Sequence, residues 1–157
     1  MEQIGIYLDA LVQLIYPKLC LACENKTQVK EHVFCMSCLS KLVFTNQHSE
    51  QKNSFVEHFI GRIDLDHASA LFYFYKSNPI QELVHKLKYE KRPIIGKKLG
   101  QLHGELLLKS SFYKEIDLIL PVPLHPKRQW QRGYNQSDLY AIGIANSLKK
   151  PVYSKSI

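Results

Sequence analysis

The chain has 157 residues, 45% of them apolar and 22% charged, which suits one globular domain with a small appended module. It contains no run of about 18 apolar residues, so no membrane-spanning helix is expected. A formal net charge of +7 favours phosphates, nucleic acid or acidic partners, although charge alone names none of them.

Taken in chain order, residues 4–15 carry Ile4, Leu8, Leu11, Val12 and Ile15 at helical spacing. The stripe reads as core or as a docking face, since its polar positions are not the basic ones of a membrane-surface helix. Met1, Glu2 and Gln3 form no basic leader region, and Asp9 interrupts the apolar stretch, so no secretory signal is expected. Pro17 ends the helical pattern.

Cys20 and Cys23 then form one C-x-x-C pair, and Cys35 and Cys38 form another; the chain has no other cysteine. Two-residue gaps let both thiolates of a pair face one cation, so the two pairs predict a closed tetrahedral site for a structural zinc ion. Iron suits the same four sulfurs. Vicinal disulfides or a redox pair share the spacing, but the redox reading wants a βαβ context, and a polar stretch separates these pairs. His32, between the pairs, reads as a loop residue or a spare ligand. Thiols arranged for metal fit a reducing compartment, and a cytoplasmic protein is expected.

Residues 39–44 read as a short closing element, and the polar run of residues 45–54 reads as a linker. Residues 68–75, with Phe72, Tyr73, Phe74 and Tyr75 in a row, predict a strand, either buried or offering rings for base stacking. Pro79 opens a helix through Leu83, Val84 and Leu87. Its basic end, with Lys86, Lys88, Lys91 and Arg92, already has a reason in the helix dipole. A second helix is expected over about residues 95–110, with His85 and His103 as surface or capped residues. Residues 116–120 read as a buried parallel strand. A loop over residues 121–136 follows, then a helix over residues 137–148, and Pro151 and Val152 start another strand. Strand, loop, helix, strand is α/β order.

That loop runs P-V-P-L-H-P-K-R-Q-W-Q-R-G-Y-N-Q from Pro121 to Gln136. Prolines stiffen it, Lys127, Arg128 and Arg132 charge it, and Gly133 allows close backbone approach. Such parts suit a phosphate or pyrophosphate beyond a strand's carboxyl end; a stiff basic surface loop is the alternative.

The segment closely resembles the signature of the ComF family of bacterial phosphoribosyltransferase-like proteins, linked to natural competence and DNA uptake. The paired cysteines look like that family's zinc module, and Leu87, Lys88 and Tyr89 are similar to a third family segment. The resemblance implies α/β architecture: a four-cysteine zinc module followed by an incomplete type I phosphoribosyltransferase (Rossmann-like) domain. It divides the chain into a module over residues 1–45, a linker over 46–67 and a phosphoribosyltransferase-like part over 68–157. It implies phosphoribosyl pyrophosphate as ligand, with Mg²⁺ in the intact protein. Lys127, Arg128, Arg132, Gly133, Tyr134, Asn135 and Gln136 would form the substrate-binding set, with Arg128 and Arg132 stabilising the leaving group in catalysis. Asn135 and Gln136 would hold the loop's shape or touch ligand.

The chain departs from the family in two respects: it has no acidic pair followed by a Thr/Gly-rich turn, the ribose-phosphate motif, and it lacks the family's mobile basic loop that would close over substrate. It is therefore expected to be the N-terminal portion of a longer protein, inactive alone as a transferase. The alternative function is a non-catalytic zinc-bearing module that binds single-stranded DNA or a competence DNA helicase.

Overall fold

The computed structural model describes residues 17, 19–27, 33–50, 52–76 and 78–154. The apolar stripe of residues 4–15 and His32 lie outside the described residues. Among the described residues six α-helices follow in order: α1 (Met36–Leu39), α2 (Ser54–Glu57), α3 (Pro79–Tyr89), α4 (Pro93–Leu107), α5 (Pro126–Arg132) and α6 (Gln136–Leu148). Extended pairing among the described residues is limited to three single bridges. Leu19 with Lys26 and Phe44 with Phe72 are antiparallel, and Ile119 with Val152 is parallel.

Local chemistry explains the helix starts. Asn78 accepts a hydrogen bond from the Ile80 N–H at 2.8 Å, and Pro79 sits in the first turn, where its missing N–H is not needed. Asn135 caps α6 by accepting from Ser137 at 3.1 Å. Leu83 and Ile95 are fully buried, and they join Cys20, Phe34 and Leu42 of the cysteine module in one apolar cluster. The module and the helices therefore share a core.

The polar run of residues 45–54 holds three buried side chains, Gln47, His48 and Asn53. Asn53 caps α2 and donates to the carbonyls of Gln47, Glu50 and Ala68. Gln47 accepts from the Ala70 N–H at 3.1 Å. These amides satisfy irregular buried backbone, which is why composition alone reads the stretch as solvated.

Two expected strands come out differently. Residues 68–75 make one rung of pairing, with Tyr73 donating to Val43 and Thr45 donating to Leu71. Leu71 is buried, but Tyr73, Phe74 and Tyr75 are all exposed, so the aromatics do not alternate between core and solvent. A single rung does not make a sheet with one face packed and the other solvated, which alternation requires. Residues 116–120 are not buried: Leu118 is 45% and Leu120 66% exposed. Ile119 bonds to Pro151 and Tyr153 at 3.0 Å each, in the parallel sense, with no further strand beside them among the described residues. No Rossmann-like sheet is formed there, because a parallel sheet needs several strands with both faces covered.

α4 and α6 cross at backbone distance. A methyl group at Gly100 would run into the Tyr140 carbonyl, and one at Gly143 into the Lys97 carbonyl. At this crossing His103, read from sequence as a surface or capped residue, is buried. Its ring meets the Tyr140 hydroxyl at 2.7 Å and the Ser69 hydroxyl at 3.2 Å. The helical period placed it on the inner face of α4; its polar identity concealed that. Burial, with the His48 charge second, brings its pKa down to about 4 from 6.5.

Gly143→Ala should lower stability by about 3 kcal/mol, because the clash is with backbone and side-chain adjustment cannot relieve it. An unchanged denaturant midpoint would remove the close crossing. His103 sets a pH dependence of known sign. It is neutral in the fold and binds a proton near 6.5 when unfolded, so its contribution is present above pH 6.5 and is lost as pH falls towards 4. The loss should reach about 3 kcal/mol at most and shrink in His103→Gln, as read by denaturation across that pH window.

Candidate functional site

The two cysteine pairs converge. Cys20 donates its N–H to Asn25 and Glu24 donates to Cys20, each at 2.9 Å, closing the first knuckle. The second knuckle turns directly into α1, with Leu39 donating to Cys35 at 2.9 Å. A bond from Leu21 to Val33 at 3.1 Å holds the knuckles together.

All four sulfurs lie within 4.8 Å of one another, and Cys23 and Cys35 approach to 3.6 Å across the two knuckles. Four sulfurs around one zinc ion sit about 3.8 Å apart, given Zn–S bonds near 2.3 Å. The set therefore fits a single four-coordinate ion. Burial and the other three sulfurs push the Cys38 thiol up. Burial also opposes the Cys20 thiolate, yet the N–H groups of Cys35, Cys23 and Ala22 bring its pKa down to about 7. Such crowded thiols ionise together only around a cation.

A second site lies where α3 ends. Lys88, Tyr89 and Lys91 line one wall of a cleft of about 480 Å³, and Arg128, Gln131 and Arg132 of α5 line the other. Among the described residues its lining carries four cations and no carboxylate. Lys91 turns the chain between α3 and α4 at φ 52°. The Arg132 guanidinium lies 5.7 Å from the Tyr89 ring centroid and donates to Gln136 at 2.8 Å. Tyr134 spans the walls by donating its hydroxyl to the Leu87 carbonyl at 2.6 Å.

No family model matches the chain, and no solved structure does. Over 145 residues, 85% of the chain, it is 27% identical to competence protein F of Haemophilus influenzae. It is 38% identical over 73 residues, 45% of the chain, to DNA utilization protein YhgH of Salmonella typhimurium. These relatives support a ComF-family assignment. The YhgH protein of Escherichia coli K12 is 39% identical over 67 residues, 39% of the chain. The matched parts are 55%, 32% and 28% of the three relatives, so the chain spans about half of the Haemophilus protein and less of the others.

The segment of residues 121–136 that resembles the ComF signature is divided by the structure between lining and support. Its middle is helical, not loop: α5 begins at Pro126, capped by His125, whose ring accepts from the Lys127 N–H at 3.3 Å. Gly133 ends it at φ 81°, the left-handed cap that glycine adopts most readily. Of the predicted set, Arg128 and Arg132 line the cleft, whereas Lys127 and Gly133 are not among its lining residues. Asn135 is buried, donating to the Val122 carbonyl and the Asp138 carboxylate. Tyr134, Asn135 and Gln136 thus hold the segment's shape.

Lys88, Lys91 and Gln131 were not singled out as site residues by their own chemistry. A basic helix end has a sufficient electrostatic reason without a ligand, and only the family-like Leu87-Lys88-Tyr89 segment pointed further.

Cys35→Ser should abolish stoichiometric metal retention and lower the melting temperature by about 10 °C, since a bound ion's free energy is folding free energy. Metal analysis of the purified chain with a thermal scan checks both; full metal content in the variant would exclude the four-sulfur site.

Proposed function

We propose that the chain belongs to a ComF-family phosphoribosyltransferase-like protein that acts in competence or DNA utilisation, the processes named for its relatives. The cleft between α3 and α5 takes the pyrophosphate of phosphoribosyl pyrophosphate. One observation carries this reading: Lys88, Lys91, Arg128 and Arg132 converge on one cleft whose described lining has no carboxylate.

The parallel contact of Ile119 with Val152, on either side of α5 and α6, supports a first unit of the type I phosphoribosyltransferase sheet. In this reading the four cysteines hold structural zinc, and Mg²⁺ accompanies the phosphoribosyl ligand. The intact protein works in the cytoplasm.

Transfer at the anomeric carbon breaks the bond to pyrophosphate and leaves negative charge on it. Arg128 and Arg132 would stabilise that charge, and Lys88 and Lys91 would add to the field. Arg132 is oriented by Tyr89 and Gln136, so its guanidinium is held before ligand arrives. Because this chain has no acidic pair and Thr/Gly-rich turn for the ribose phosphate, it should bind without transferring.

Calorimetry with inorganic pyrophosphate tests the cleft. Arg132→Ala should weaken binding by about tenfold to a hundredfold, the range for a charge-assisted hydrogen bond, and Arg128→Ala should act in the same direction. Unchanged affinity in both variants removes the cleft from the proposal. A second reading rests on the exposed Tyr73, Phe74 and Tyr75, which offer rings for stacking single-stranded DNA. It makes the chain a binding module for DNA or a competence helicase, and a flat salt response of DNA binding would count against it.

A further inference from the structure

We infer that Glu24 is a positioning residue through which the four-cysteine centre sets the shape of the basic cleft. The inference rests on the pyrophosphate reading of that cleft.

Glu24 directly follows Cys23, and its N–H closes the first knuckle on Cys20 at 2.9 Å. It sits at φ 60°, a left-handed conformation that a non-glycine residue seldom adopts. The conformation sends its carboxylate away from the sulfurs and onto the helices. One oxygen, Oε1, accepts from Lys86 Nζ at 3.1 Å and from Arg92 Nη2 at 2.8 Å. The same ammonium donates to the Ala22 carbonyl, inside the knuckle, at 2.7 Å.

Lys86 and Arg92 bracket Lys88, Tyr89 and Lys91, the whole wall that this part of the chain gives to the cleft. A knuckle held rigid by its ion thus grips both ends of that wall. A knuckle without an ion loses the turn that mounts Glu24, and the wall is left to α3 and the Lys91 turn alone.

The sign of the effect separates positioning from plain electrostatics. Glu24→Gln removes a negative charge and frees Arg92, so a field effect alone would tighten anion binding. Positioning demands the reverse.

The test uses the metal-loaded chain, with inorganic pyrophosphate as the probe. In Glu24→Gln the affinity should fall about tenfold, within the range of coupling between sites, while metal content stays unchanged. Metal removal should weaken binding in the unmodified chain and add little in the variant. Equal or tighter binding by the variant overturns the inference.

Amide hydrogen exchange over residues 86–92 reads the clamp with no ligand present. Faster exchange there in Glu24→Gln, at full metal content, supports the inference, and unchanged exchange overturns it. Failure of the unmodified chain to bind pyrophosphate would overturn the cleft reading itself, whatever the exchange shows.

Discussion

The buried ammonium of Lys86 is the constraint on which the described structure turns. Its side chain is only 9% exposed, a position no isolated charge holds without large cost. Three oxygens satisfy it: the Ala22 carbonyl, Glu24 and Glu82, the last at 3.3 Å one turn earlier on α3. Burial disfavours the charged form, but the hydrogen bonds and fields of the two carboxylates outweigh it and raise the Lys86 pKa. Two of the three oxygens belong to the first cysteine knuckle. The cysteine module and α3 are therefore joined by an interaction that fails if either moves. The apolar cluster shared by Cys20, Phe34, Leu83 and Ile95 supplies the bulk of the contact, and the ammonium fixes its register.

The parts of this chain that were legible in sequence are those whose chemistry is local. The cysteine spacing alone is enough to foresee the sulfur cluster, because two-residue gaps limit where thiolates can point. Pro79 marks a helix start for a reason confined to one turn. The parts that misled are those whose meaning is tertiary. Gln47 and Asn53 look like linker residues because the Ala70 N–H and the Ala68 carbonyl that they bond lie far along the chain. His103 looks like a surface residue because nothing nearby in sequence announces Tyr140. Residues 116–120 have the β-branched composition of a buried strand, but burial is a property of neighbours, and the described residues provide one rung of pairing.

The basic cleft shows the same division more sharply. Arg128 and Arg132 stand out because they crowd into a stiff, family-like segment. Lys88 and Lys91 do not, since a cationic helix end is ordinary. Only the meeting of the two segments makes the cleft, and uncharged residues take part in specifying that meeting. Gly100 and Gly143 let α4 and α6 cross at backbone distance, which sets where α6 begins. Tyr134, just before that start, reaches back to the last turn of α3 and ties the walls together.

This arrangement has an electrostatic logic. Four cations facing one cleft repel each other, and a flexible segment would spread them apart. Here each wall is stiffened from behind instead of being neutralised from within. Arg132 is braced by Gln136 and the Tyr89 ring, both uncharged, so its charge stays available to a ligand. On the other wall the carboxylate of Glu24 is spent on Lys86 and Arg92, cations outside the cleft lining, and leaves Lys88 and Lys91 unpaired by it. The carboxylate that directly follows the first cysteine pair thus holds the scaffold in place while the positive field of the cleft is preserved.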